Sequence, residues 1–528
     1  MDVNIYPVCL GDFLIRAADG HGQDIACIYQ GENFTYEMLF NHSLRFSNIL
    51  KQKGHLRGDR VVLYMDNSIE TLVGIFGTIM AGGIFVIINP QTKISKLNFI
   101  LEDCDAHYIL TDDYLKQNVA SAIATISNCK SVLITKSDRV VESDTPVDTL
   151  FESYQSLITQ SLPIQERIRN LPTDLAALIY TSGSTGDPKG VMMTHQSMIF
   201  MTHCLDYYLG LSRSDKIINF LPLAFDYGLY QVFMSISLGA TLVLEKSFAF
   251  PANIMACISD YNVSVFPGVP TVYKTLISMS KKSKICFPHV RKITNTAAAL
   301  SANLTPDLQK IFPNAQIYKM YGLTECKRVC YLDPRYLDDA PDSVGKAIPG
   351  TEAYILSKEG FPVSPGETGI LHVRGPHVMQ GYWKRPQETA HMLKDGKYPG
   401  DKVLCTHDWF SIDSNGYLYF KGRSDDIIKT RGEKVSPLEV ENCLDGIEGV
   451  KDSAVISEPD ELWGEAIVAY IVLDGSTDIN EHEIKKICRS RLESHMVPNK
   501  LFLVSELPTT HTGKIKKSEL VTERRPEA

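Results

Sequence analysis

Residues 178–190 read LIYTSGSTGDPKG: four Ser/Thr hydroxyls, three glycines and one lysine directly behind an apolar, strand-like run. A Walker-type phosphate loop would put Ser or Thr after its lysine and then enter a helix. Here Pro188 precedes Lys189, Gly190 follows it, and the next residues, GVMMTH, read as extended. A nucleophile elbow needs glycine two residues before its serine, a place that Ser182 occupies ahead of Ser184. The chemistry that remains is phosphate binding: flexible backbone with free N–H groups, hydroxyl donors and one cation in reach. A plain Ser/Gly surface loop shares this composition but has no need of this order.

Outward from the loop, residues 60–112 alternate β-rich and helical runs. RVVLYM reads as a strand, SIETLVGIFGTIMAGG as a helix, IFVIIN as a strand, KISKLNFILEDC as a helix and AHYILTD as a strand. This βαβ rhythm predicts a parallel, doubly wound sheet. It recurs between residues 215 and 320 in TLVLE, ANIMACISDYN and VSVFPGV, so two halves are expected to stack with a crevice at the strand ends. From about residue 350, short β runs with Gly turns (GETGILHVRG, NGYLYFKGR) read as a small barrel. Beyond GRSDD, the helical SPLEVENCLDG and strand-like VKDSAVISE indicate a separate α+β unit. The expected class is α/β: a large N-terminal domain, residues 1–423, of two doubly wound sheets plus a small β-barrel, followed by a smaller α+β domain, residues 424–528.

A chain of 528 residues with 44% hydrophobic and 22% charged residues suits a multidomain globular protein. A net charge of −9 gives no electrostatic reason to bind nucleic acid or an anionic membrane. The N-terminus lacks the basic region and apolar block of a signal peptide, and no run of about 18 apolar residues is present. The 12 cysteines are scattered without CxxC spacing, against a structural zinc site, and Cys326 and Cys330 read as reduced thiols. A cytoplasmic location is expected.

The residue order of the loop resembles the signature loop of the adenylate-forming superfamily, which contains acyl-CoA synthetases, adenylation domains and luciferases. Other stretches resemble its motifs in family order: YGLTE (residues 321–325) the adenine and magnesium motif, and THD (406–408) the ribose motif. GRSDDIIKTRGEKVSPLEVE (422–441) is similar to the hinge segment, and LPTTHTGKIKK to the motif of the catalytic lysine. The match spans most of residues 30–517. What it implies is activation of a carboxylate by ATP with Mg²⁺, an anionic nucleophile held in line with an anionic α-phosphate. By this resemblance Thr181, Ser182, Gly183, Ser184, Thr185, Gly186 and Lys189 cradle the β- and γ-phosphates. Glu325 is the Mg²⁺ ligand, Thr324 a phosphate contact and Tyr321 an adenine stacker, with Ala297, Ala298 and Ala299 pressed against the adenine. Asp408 accepts the ribose hydroxyls with Arg423 nearby, and Lys514, on the mobile C-terminal lid, bridges the substrate carboxylate and the reacting phosphate. Thr181, Glu325 and Lys514 are the implied catalytic set, and Asp425 is the hinge. In the ribose motif His407 replaces the usual glycine, which puts the local backbone geometry in question while keeping the carboxylate.

The acid is read from LPLAFDYGLYQVF (residues 221–233). Many fatty- and aryl-acid members carry His or an aromatic residue here; this chain has Asp226, as amino-acid-activating domains do. A carboxylate in an apolar pocket needs a cation, which a substrate α-ammonium supplies; a helix-start or turn aspartate is the bland alternative. The remaining implied pocket positions are Tyr227, Tyr230, Pro267, Thr294, Thr296, Met320 and Val329, none of them charged. Arg328 is the exception, and sequence does not say where it points. LAFDYGLYQ and YGLTECKRVCYLDP resemble stand-alone proline-activating enzymes that load the phosphopantetheine of a separate carrier protein, and also a branch of acyl-CoA ligases. Proline against another small amino acid, and carrier protein against CoA, stay open. Only 14 residues follow Lys514, without a carrier-attachment serine, so the thiol is expected in trans. A non-catalytic adenylate-binding regulator would not need a lysine at the reacting phosphate.

Overall fold

A computed structural model describes residues 7–124, 126, 128–136, 148–163, 169–182, 187–423, 428–430, 433–460, 464–492, 496–510 and 514–520. The βαβ rhythm of residues 60–112 folds into a seven-stranded sheet in the order 151–153, 131–135, 106–112, 60–64, 84–88, 175–182, 188–194. All neighbours in it are parallel except the last pair, a hairpin. The second rhythm forms a nine-stranded sheet. Its parallel centre runs 316–321, 292–295, 265–268, 216–219, 241–244, 25–29, with antiparallel strands at both edges.

Helices Ile69–Met80 and Asp226–Leu238 fill the space between the two sheets. In the first, every residue but Glu70 is buried, and the Ser68 hydroxyl caps it by accepting from the Thr71 N–H. A side chain at Gly77 would meet Phe46 Cδ1 at 2.7 Å, so the sequence keeps these positions small for close packing. Phe233 of the second helix packs against both Phe76 and Phe85, joining the layers in one core.

The region read as a small barrel is a five-stranded antiparallel sheet, Glu352–Leu356, Thr368–Arg374, Leu393–Asp395, Lys402–Ile412 and Leu418–Arg423. A fourth sheet, Ile428–Thr430, Glu433–Val435, Val450–Asp460, Gly464–Leu473 and Lys500–Leu503, has its own core with helices Pro437–Asp445 and Glu481–Arg491. Lys274 of helix Pro270–Lys282 reaches this unit, 3.1 Å from Asp445 and 2.7 Å from Asp452. All 12 cysteines carry free thiols. Among the described residues no helix is long and apolar enough to cross a membrane.

Candidate active site

The parallel strands of the nine-stranded sheet end side by side. Pro267 lies opposite Thr294, and Thr294 opposite Tyr318. The crevice at such carboxyl ends is where doubly wound sheets take ligands. Thr294, Thr296 and Met320 stand there buried, as do Pro267 and, on the following turn, Val329. Helix Asp226–Leu238 is tied to the same ends. The Tyr227 hydroxyl lies 2.6 Å from the Thr294 carbonyl oxygen and accepts the Gly268 N–H at 3.2 Å. Just past strand Lys292–Asn295, Ala297 adopts a left-handed φ of 74°, and the small side chains of Ala298 and Ala299 are exposed.

The phosphate-loop motif bridges strands Leu175–Ser182 and Pro188–Thr194, with Thr181 opposite Lys189 and Ser182 opposite Pro188. Gly183, Ser184, Thr185 and Gly186 lie outside the described residues. The extended run after Lys189 is thus a strand, which enters helix His195–Leu209 only six residues later. Lys189 Nζ sits 5.6 Å over the ring of Tyr382. The Tyr382 hydroxyl donates to Glu325 Oε1 at 2.6 Å; burial first, and then the Glu325 charge, push that phenol up and keep it protonated. Tyr382 arrives there because residues 380–383 pair with the hairpin strand, Met192 N–H to Gly381 carbonyl and Trp383 N–H to Gly190 carbonyl. The Glu325 carbonyl accepts the Met379 N–H at 2.8 Å. One connected group therefore links the loop lysine to the expected metal carboxylate. Sequence reasoning missed Tyr382.

YGLTE leaves strand Gln316–Tyr321 through a tight turn: a Cβ on Gly322 would fall 1.9 Å from the Lys327 carbonyl oxygen. Thr324, which follows the turn, is half-buried. The Tyr321 hydroxyl donates to Asp408 Oδ2 at 2.5 Å, and its ring packs on Phe420 and Phe410. This brings the adenine and ribose motifs together. Asp408 sits on a bulge of strand Lys402–Ile412, opposite Arg423, and its N–H donates to Thr406 Oγ1 at 3.1 Å. His407 adopts φ 58°, the left-handed conformation a glycine would take without strain. Histidine is among the side chains enriched in that region, and its ring stacks on His391 at 4.3 Å. The departure from the family pattern thus keeps the bend.

Among the described residues no cluster of three or more His, Cys, Asp or Glu could hold a metal. A half-buried carboxylate such as Glu325, held by Tyr382, suits Mg²⁺, which binds through one or two carboxylates plus substrate phosphates. Lys514 is half-buried in a turn closed by its own N–H to Thr510 Oγ1 and by Thr510 N–H to its carbonyl. Asp425 lies outside the described residues.

Asp226 is the first residue of its helix, 5% exposed, with no capping hydrogen bond at that end. Arg328 turns inward: it is 3% exposed, with one terminal nitrogen 3.9 Å from Asp226 Oδ2 and donating to the Lys327 carbonyl at 2.7 Å. Its guanidinium lies 5.0 Å over the Tyr227 ring. Lys327, in a left-handed conformation, is fully buried; burial pushes its ammonium down to about 8, and Nζ donates to the Thr324 carbonyl. The Arg328 guanidinium, whose direction the sequence left open, is therefore buried beside Asp226.

Residues 14–383 match the AMP-binding enzyme family and residues 439–514 the AMP-binding enzyme C-terminal domain. The chain is 30% identical over 523 residues to a long-chain-fatty-acid–CoA ligase of Bacillus subtilis, covering 94% of this chain and 91% of that one. It is 29% identical over 516 residues to a feruloyl-CoA synthase of an Amycolatopsis species, covering 97% and 98%. Among solved structures it resembles ATP-bound MatB from Rhodopseudomonas palustris, with TM-score 0.86, 26% identity and 97% and 98% coverage. It also resembles the anthranilate CoA ligase AuaEII in complex with anthranoyl-AMP, with TM-score 0.89, 25% identity and 99% of each chain covered.

Proposed function

The chain belongs to the AMP-binding enzyme family, and on that premise we propose which acid and which thiol this AMP-forming acid–thiol ligase joins. The family chemistry, ATP-dependent activation of a carboxylic acid with Mg²⁺, is the starting point. The acid proposed is an amino acid, proline foremost, and the acceptor the phosphopantetheine thiol of a separate carrier protein. The observation that carries this reading is the state of Asp226. No hydrogen bond among the described residues ends on its buried carboxylate, and its one ion-pair partner stands off at 3.9 Å. Buried carboxylates are normally hydrogen-bonded, and a secondary ammonium offers two N–H donors.

In the reaction so proposed, Thr181 and Lys189 hold the leaving phosphates, and Tyr382 holds the Glu325 carboxylate toward them. Bound there, Mg²⁺ supplies charge neutralisation for the departing pyrophosphate. Asp408 fixes the ribose, Tyr321 and the Ala297–299 surface fix the adenine, and Lys514 aligns the substrate carboxylate with the α-phosphate. Residues 1–423 would hold the substrates, and residues 424–528 would act as a mobile lid pivoting at Asp425.

The second reading is an acyl-CoA ligase for an acid without an amine. The presence of Arg328 as an internal counter-charge to Asp226 favours it, as do the activities of the CoA-ligase relatives. Pyrophosphate exchange with proline and with cyclopentanecarboxylate separates the two. Losing one partner of a buried pair costs about 3–5 kcal/mol, so proline should win by roughly 10²-fold or more, and Asp226→Asn should abolish that margin. Preference for the carbocyclic acid would transfer the protein to the second reading, and supplying CoA or a loaded carrier protein then identifies the thiol.

A further inference from the structure

Helix Ile94–Asp103 ends on a carboxylate, at the pole where the helix dipole disfavours negative charge. The groups that hold Asp103 there come from outside its own helix. Its side chain is 7% exposed, with a terminal nitrogen of Arg385 3.1 Å from Oδ1. The Tyr180 hydroxyl donates to Oδ2 at 2.6 Å, and the Trp383 indole N–H donates to the Asp103 carbonyl at 2.9 Å. The turn that follows continues the same junction. Lys384 Nζ lies 2.8 Å from Asp105, and Arg60 donates to the carbonyls of Cys104 and Asp105 with its guanidinium 5.6 Å over the Trp383 ring.

These partners back the phosphate end of the candidate site. Tyr180 directly precedes Thr181 on strand Leu175–Ser182 and lies opposite Gly190, where a Cβ would fall 3.0 Å from its ring. Burial raises the Tyr180 phenol, so it stays protonated and donates. Trp383, Lys384 and Arg385 directly follow Tyr382, whose hydroxyl holds Glu325 and whose ring lies under Lys189. One carboxylate therefore joins the strand that enters the phosphate loop to the segment that carries Tyr382.

We propose that Asp103 is a positioning residue for MgATP: through this junction it sets where Tyr382 holds the Glu325 carboxylate. The proposal rests on the reading of Glu325 as the Mg²⁺ ligand. Asp103 itself touches neither Glu325 nor Lys189, so its influence on the metal runs through Tyr382. Without its carboxylate, Tyr180 and Arg385 lose the charged acceptor they share, and the side chains after Tyr382 lose part of their anchor on helix Ile94–Asp103.

The test is a Mg²⁺ titration of pyrophosphate exchange on the full-length protein, with whichever acid drives exchange best. Asp103→Ala should raise half-saturating Mg²⁺ about tenfold, the low end for a partner that orients a metal ligand. The low end applies because residues 380–383 keep their backbone pairing with strand Pro188–Thr194. Added to Tyr382→Phe, the same change should shift the titration by about twofold or less, since the hydroxyl through which it acts is already gone. Equal fold-changes in the two backgrounds would mean a general structural contribution and overturn the proposal. So would an unmoved titration in Asp103→Ala when Tyr382→Phe shifts it. No shift in Tyr382→Phe itself overturns the reading of Glu325, and the proposal with it. If Asp103→Ala does not fold, Tyr180→Phe removes one of the two links to the carboxylate and enters the same cycle. It should shift Mg²⁺ in the same direction, and an unmoved titration there overturns the proposal equally.

Discussion

Tyr382→Phe removes one hydroxyl and leaves the ring under Lys189, so it isolates the hydrogen bond to Glu325. That bond is short, 2.6 Å, and ends on a carboxylate, a type worth about 1.5–3 kcal/mol. Without it Glu325 keeps, among the described residues, its backbone tie to Met379, and its carboxylate is no longer held in place. Loss of a partner that orients a metal ligand typically costs about 10- to 100-fold in metal affinity or activity. The expected result is therefore a 10- to 100-fold higher half-saturating Mg²⁺ in pyrophosphate exchange. The ATP dependence at saturating Mg²⁺ should change little, because Lys189 and the ring persist. The reasoning fails if the Mg²⁺ titration of Tyr382→Phe overlays the wild type, or if Mg²⁺ binds tighter once the hydroxyl no longer occupies Oε1.

Three further outcomes are expected. Lys514→Ala should lower acyl-adenylate formation about 10²–10³-fold, the scale for one preorganised contact at the reacting group, with ATP affinity by calorimetry unchanged. Asp425→Pro, which fixes φ at the proposed pivot, should slow thioester formation in single-turnover assays more than adenylation; equal losses would argue against a hinge there. Burial pushes the Asp206 carboxyl from 3.8 up to about 8, and one of its oxygens has no hydrogen-bond partner among the described residues. The folded state thus binds this proton more tightly than the unfolded chain, and the stability it contributes below pH ~4 is lost as pH rises to ~8. Asp206→Asn should remove that decline, raising Tm by about 2–4 °C at pH 8.5 and by less at pH 5.

Local order made much of the site legible. The strand–loop–strand character around Lys189 could be read because Pro188 and Gly190 rule out a helix directly after the lysine. The βαβ segments were readable because buried parallel strands are continuous apolar runs. Tyr382 was not legible: it reaches Glu325 only because residues 380–383 pair with a strand some 190 positions earlier in the chain. Nor was the direction of Arg328. The run ECKRV looks solvent-facing by composition, yet the tight turn at Gly322 and the left-handed Lys327 fold both cations inward. The bend at His407 lay between these cases, its residue type arguing against a glycine-like bend and its tertiary setting imposing one.

The central claim is that a substrate carboxylate attacks the α-phosphate of ATP, the reaction for which Lys189, Glu325, Asp408 and Lys514 are the proposed residues. Supplying proline, or whichever acid drives exchange best, with both carboxylate oxygens labelled as ¹⁸O tests it directly by mass spectrometry of the nucleotide after transfer to the thiol. One labelled oxygen should appear in AMP and none in pyrophosphate. Label in inorganic phosphate with ADP as the nucleotide product would mean attack at the γ-phosphate, and would contradict the account.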